Sequence, residues 1–174
     1  MTDVERIYGE LKSARATIEA ADSISDRVAF ESLAVKTLIL SAASYFEREI
    51  CQTILRTANK CGVPAPLKFF IEKQGLERKY HSLFNWDSNN ANKLFSLFGK
   101  PARDKLVDGS KALEQALECF LFVNRARNDL VHENFAGATI DLTFEEAWAK
   151  YERALTFVDW FSDQLDAICG DPPE

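Results

Sequence analysis

Apolar residues recur at steps of three and four along almost the whole chain, and no stretch keeps the two-residue alternation of a half-buried strand. The first helix opens on Thr2-Asp3-Val4-Glu5, a capping box in which Thr2 and Glu5 satisfy free amides, and runs to about Ala21. "DSISD", 22–26, is a turn and the start signal for a long second helix over about 27–60. On it Phe30, Leu33, Leu38, Ile39, Tyr45, Phe46, Ile50 and Ile54 cover more than one face. A helix apolar over so much of its circumference is central in a bundle or shared with another subunit. Gly62, Pro64 and Pro66 in "KCGVPAP" end it.

The middle of the chain is more broken. "LKFFIEKQ", 67–74, reads as a short amphipathic helix closed by Gly75. "YHSLFNWDSNN", 80–90, reads as a loop with aromatic anchors, and His81 within it as a surface imidazole with nothing to pair with. Asp87, Ser88 and Asn89 are expected caps for a short helix "NANKLFSLF", stopped by Gly99 and Pro101. A long helix from about 110 carries Leu113, Leu117, Phe120 and Leu121 on one stripe. The last begins at a second capping box, Thr143-Phe144-Glu145-Glu146, and continues through Trp148, Tyr151, Leu155, Val158, Phe161 and Leu165. The expected fold is all-α: a bundle of four to five main helices plus short ones. One domain spans 1–170, with a disordered tail at 171–174.

Composition narrows the functional classes. No run of about 18 uncharged apolar residues offers a membrane span. The nearest approach, "LAVKTLILSAASYF" at 33–46, carries Lys36 and reads as a buried helix. The polar, acidic start "MTDVERIYGE" is unlike a signal or transit peptide, so a cytoplasmic protein is expected. Cysteines 51, 61, 119 and 169 form no C-x-x-C pair, and the chain has two histidines, so no metal site and no cofactor is expected. The cysteines read as small apolar residues kept reduced. Net charge is −6, but residues 141–174 hold nine acidic and two basic side chains, leaving 1–140 with 19 basic and 18 acidic. The acidity therefore belongs to the last helix and tail, and a nucleic-acid partner is not excluded. There is no nucleotide-binding glycine loop, no G-x-S-x-G elbow and no paired-carboxylate spacing.

The stripe of the helix beginning near 110 changes character as it is followed. Steps of three or four from Leu113 lead through Leu117 and Phe120 to Asn124, Asn128 and His132, so apolar positions become two amides and an imidazole. Asn128 and His132 lie about 40° apart on a helix surface, whereas Arg127 and His132 lie about 140° apart. Arg127 joins them only through its long reach, or if the helix unwinds near 130–134. A purely structural account is available too. His132 gains from a helix C-terminus, Arg127 pairs with Asp129 or Glu133, and the asparagines are satisfied core amides.

"RNDLVH", 127–132, resembles the R-x(4–6)-H motif of the HEPN superfamily. "AASYFEREI" at 42–50 and "FNWDSNNANKLFSLFG" at 84–99 resemble signatures of its RiboL-PSP-HEPN branch, in the same order along the chain. The resemblance covers roughly 28–165. It implies a homodimer whose two motifs face each other across the interface, acting as a metal-independent endoribonuclease. In that reading His132 is the general acid or base, Arg127 holds the phosphate, and Asn128 orients His132 or the phosphate. Glu47 braces Arg127, and Asn124 supports the group. The substrate is RNA, such as transfer RNA, because the ribose 2′-hydroxyl is the nucleophile. The setting is toxin–antitoxin, phage defence or RNA processing, with an antitoxin or regulatory protein as a further partner and no membrane. Where many relatives have glycine after the histidine, this chain has Glu133. The alternatives are a HEPN module that dimerises or regulates without turnover, and a plain helical adaptor.

Overall fold

The computed structural model describes residues 1–21, 23–77, 79–132 and 135–170, with 169 and 170 described by backbone alone. Thr2 caps α1 (Asp3–Ala20): its hydroxyl accepts the Glu5 amide at 3.1 Å, and the Glu5 carboxylate accepts the Thr2 amide at 2.6 Å. Helix α2 (Ile24–Lys60) begins earlier than its apolar pattern indicates, because Ser23 takes the cap position and receives the Asp26 amide. α3 (Ala65–Phe70) continues into a π-helical turn at Ile71–Leu76, followed by one turn of α4 (Tyr80–Leu83) and by α5 (Asn92–Ser96). α6 (Lys100–Ser110) runs through a 3₁₀ turn, Lys111–Leu113, into α7 (Glu114–His132). α8 (Phe144–Gly170) starts at the second capping box, where Thr143 and Glu146 bond reciprocally.

The all-α expectation holds, and no strand occurs among the described residues. α2, α7 and α8 pack on one another, and α1 lies along α2. Phe46 of α2 is fully buried with its ring 5.5 Å from Phe120 of α7 and 5.7 Å from Tyr151 of α8. Phe120 in turn meets Phe157 of α8 at 4.9 Å. By length and composition α2 is apolar enough to cross a membrane, with a mean hydropathy of 1.2 over 18 residues. In the bundle Ala34, Val35, Leu38, Ile39, Ala42 and Ala43 on it are core residues. Lys36 is also buried; its ammonium donates to the Phe135 carbonyl at 3.0 Å and lies 5.2 Å from that residue's ring.

Four local expectations are corrected. Gly75 does not close the short helix after α2. The turn widens instead, so that the Glu77 amide reaches the Glu72 carbonyl at 2.7 Å. Residues 80–83, read as loop, form a helical turn with Tyr80 and Leu83 buried. Asp87, Ser88 and Asn89 do not cap α5; Ala91 is its N-cap, and Asn90 Oδ1 accepts the Asn92 amide at 3.1 Å. Pro101 does not end a helix but sits in the first turn of α6, where a missing N–H breaks no bond.

Among the cysteines, Cys51 and Cys119 are free, while Cys61 is disulfide-bonded, against the expectation of reduced thiols. That expectation treated Cys61 as apolar filling, whereas it stands exposed at the turn closing α2. The tail at 171–174 lies outside the described residues.

Candidate active site

The polar end of the α7 stripe receives the segment 80–86. Asn124 is buried and both ends of its amide are engaged: Oδ1 accepts from the Tyr80 hydroxyl at 3.1 Å, and Nδ2 donates to the Phe120 carbonyl at 2.9 Å. Arg125, next along the helix, donates from Nε to the Trp86 carbonyl at 2.9 Å. The Trp86 indole closes the loop by donating to the His81 carbonyl at 3.0 Å. Phe84 packs on Phe120 at 5.3 Å between ring centres, so apolar contact and hydrogen bonds hold the same segment. Tyr80 stays protonated at all ordinary pH values, because burial first, and then the Glu47 charge, raise its pKa well above the usual tyrosine value.

Arg127 Nη1 then lies 3.0 Å from His81 Nε2 and 3.2 Å from Asn128 Oδ1, to which it donates. Asn128 thus turns to Arg127, its neighbour in sequence, and not to His132, its neighbour on the helical wheel. Among the described residues Arg127 makes no ion pair with Asp129 or with Glu47. The surface pairing of Arg127 with Glu133, and the effect of Glu133 on the histidine, lie outside the described residues.

Glu47, half-buried on α2, faces His81 and Tyr80 and raises the proton affinity of both. His132 is exposed at the last residue of α7, near enough to His81 for its charge to act there, and no hydrogen bond joins it to Arg127 among the described residues. α7 remains helical to His132, so no unwinding at 130–132 brings Arg127 round to it.

His81 is the residue that reading the sequence missed. One side is open to solvent, and the other faces the rings of Tyr80 and Trp86, with centres 5.6 and 6.4 Å away. Its pKa lies below the ordinary 6.5, through partial burial first and then the Arg127 charge. Glu47 opposes these effects, and His132 adds slightly to them. Its place just before the "FNWDSNN" block, in a chain with two histidines, was the available signal.

In the cluster His81 and His132 are exposed, while Glu47, Arg127 and Asn128 are half-buried. A cavity of about 270 Å³ lined by Phe122, Arg125, Ala126 and Asp141 adjoins it but contains neither histidine. Cys51, one turn beyond Glu47, offers no nucleophile near neutral pH, since burial and Glu47 push its thiol up to about 11. Among the described residues no group of three or more His, Cys, Asp or Glu side chains is arranged to hold a metal ion.

A guanidinium, two imidazoles, a carboxylate and an amide, drawn from α2, α4 and the end of α7, therefore share one surface. The RiboL-PSP-HEPN family model matches residues 5–167. The chain belongs to that family. No curated protein and no solved structure matches it. HEPN domains often have ribonuclease activity. The RiboL-PSP-HEPN match spans α2, the 80–86 segment and α7, the elements that carry the cluster.

Proposed function

We propose that this chain is a metal-independent endoribonuclease of HEPN type. What carries the reading is the Arg127 guanidinium, held on one side by His81 and Asn128, on the same helix that ends at the exposed His132. In the proposed reaction the ribose 2′-hydroxyl attacks the adjacent phosphorus as the bond to the 5′-oxygen breaks. The products are a 2′,3′-cyclic phosphate and a 5′-hydroxyl. A neutral imidazole takes the 2′ proton, and an imidazolium returns one to the departing oxygen. A single His132 performs one of these tasks, and a second copy of the motif, facing the first in a homodimer, supplies the other. Arg127 stabilises the charge building on the non-bridging oxygens. Exposed apolar side chains on α2 and α3 (Ile24, Val28, Leu33, Phe69 and Phe70) suit a dimer. The proposed setting is toxin–antitoxin, phage defence or RNA processing in the cytoplasm, with structured RNA such as transfer RNA as substrate.

The test is cleavage of total RNA and transfer RNA in EDTA by wild type, Arg127→Ala and His132→Ala, each first shown folded and of the same oligomeric state. The expected result is cyclic-phosphate ends from wild type and a loss of about a hundredfold or more in each variant. No cleavage, or equal cleavage in all three, would replace this reading with a non-catalytic module for dimerisation or regulation. A monomeric wild type would remove the two-motif site.

A further inference from the structure

Arginine has N–H groups and no acceptor, so the ring nitrogen 3.0 Å from Arg127 Nη1 must present a lone pair. That decides the tautomer of His81: Nε2 is bare and Nδ1 carries the proton. Nη1 has two hydrogens, and Asn128 Oδ1 takes the other at 3.2 Å. Both hydrogens of Nη1 are thus directed into protein. Nε–H and the Nη2 pair form no hydrogen bond among the described residues, and they make up the edge that matches two oxygens of one phosphate.

Asn128 cannot fix that orientation alone, because it moves with the helix that bears Arg127. His81 arrives from a different element, itself fastened to α7 through Tyr80–Asn124 and through the Trp86 carbonyl to Arg125. We propose that His81 is the positioning residue of Arg127, a neutral imidazole that holds the guanidinium so that its Nε/Nη2 edge meets an RNA phosphate. The phosphate half of this rests on the ribonuclease reading; the imidazole–guanidinium bond does not.

Charged and titratable groups face His81 from α2 (Glu47) and from α7 (Arg127 and His132), and Tyr80 stands beside it on α4. The net effect keeps His81 neutral at neutral pH. The hold is therefore complete above the ordinary histidine range and lost as pH falls through a value below 6.5, where imidazolium and guanidinium repel.

Two measurements on untagged protein test this. In the first, RNA cleavage is followed against pH for wild type, His81→Ala and His81→Gln, the glutamine placing an acceptor oxygen near the position of Nε2. His81→Ala is expected to slow cleavage by about tenfold to a hundredfold. His81→Gln should regain most of the rate and lose the acidic limb that belongs to His81. A glutamine variant as slow as the alanine one overturns positioning in favour of proton transfer by His81. In the second, long-range ¹⁵N–¹H spectra of the two imidazoles, assigned with His132→Ala, read the tautomer directly. The Nδ1–H form is expected, with a pKa that rises in Arg127→Ala. An Nε2–H form in wild type overturns the proposal. If wild type cleaves no RNA but shows the Arg127-dependent Nδ1–H form, the bond stands and the ribonuclease reading falls.

Discussion

The amide of Asn124 makes the buried hydrogen bond among the ties that fasten the segment carrying His81 to α7. Tyr80 is 1% exposed, so removing its partner leaves a buried hydroxyl without an acceptor. Asn124→Ala is expected to lower unfolding stability in urea by about 1–3 kcal/mol. Asn124→Leu combined with Tyr80→Phe should lose less than the two single changes added together, because no polar group is then left unmatched. A neutral Asn124→Ala would mean that the hydrogen bond is not made. At this scale the sequence was only partly legible. The apolar stripe picked out positions 124, 128 and 132, since helical spacing alone brings them to one side. It did not show that Asn128 serves Arg127, because a wheel angle gives the direction of a Cβ and not the return path of a long side chain. It also did not show His81, whose partner is 46 residues away: periodicity within one helix carries no information about which loop reaches its end.

Elements were more legible than their joints. The three longest helices, α2, α7 and α8, could be read from apolar spacing, and α1 and α8 from their capping boxes, because those signals are local. α6 was missed because Pro101 was read as an end when it lies just inside a beginning. The packing of α6 on α8 depends on Gly109: a Cβ there would stand 2.9 Å from Trp160 Cζ2. The Trp160 ring is already flanked by Phe95 and Phe157, with centres at 6.2 and 5.9 Å, and cannot swing aside freely. Alanine gains about 0.5–1 kcal/mol of helix preference, while overfilling a packed contact costs about 1–3 kcal/mol. The clash is the larger effect, so Gly109→Ala should unfold at a lower temperature than wild type. A rise in melting temperature would show that Trp160 yields.

At the scale of the whole molecule the net acidity lies in residues 141–174, which include the last helix. There, burial first, and then Asp163 and Glu49, raise the pKa of Asp159. The all-α class was readable because helical spacing and few breakers recur over the length of the chain. The disulfide at Cys61 was not, since pairing depends on which turns meet in space. One long-range tie has a consequence for how the chain meets a protease. Lys36, buried in α2, grips the carbonyl and ring face of Phe135, a short way along the chain from His132, and Phe135 itself is 38% exposed. Lys36→Met keeps the apolar stem and drops the grip, so chymotrypsin should cut after Phe135 sooner while helical content stays near wild type. Nicking at an unchanged rate would mean that the ammonium is not what holds this strap of chain against the bundle.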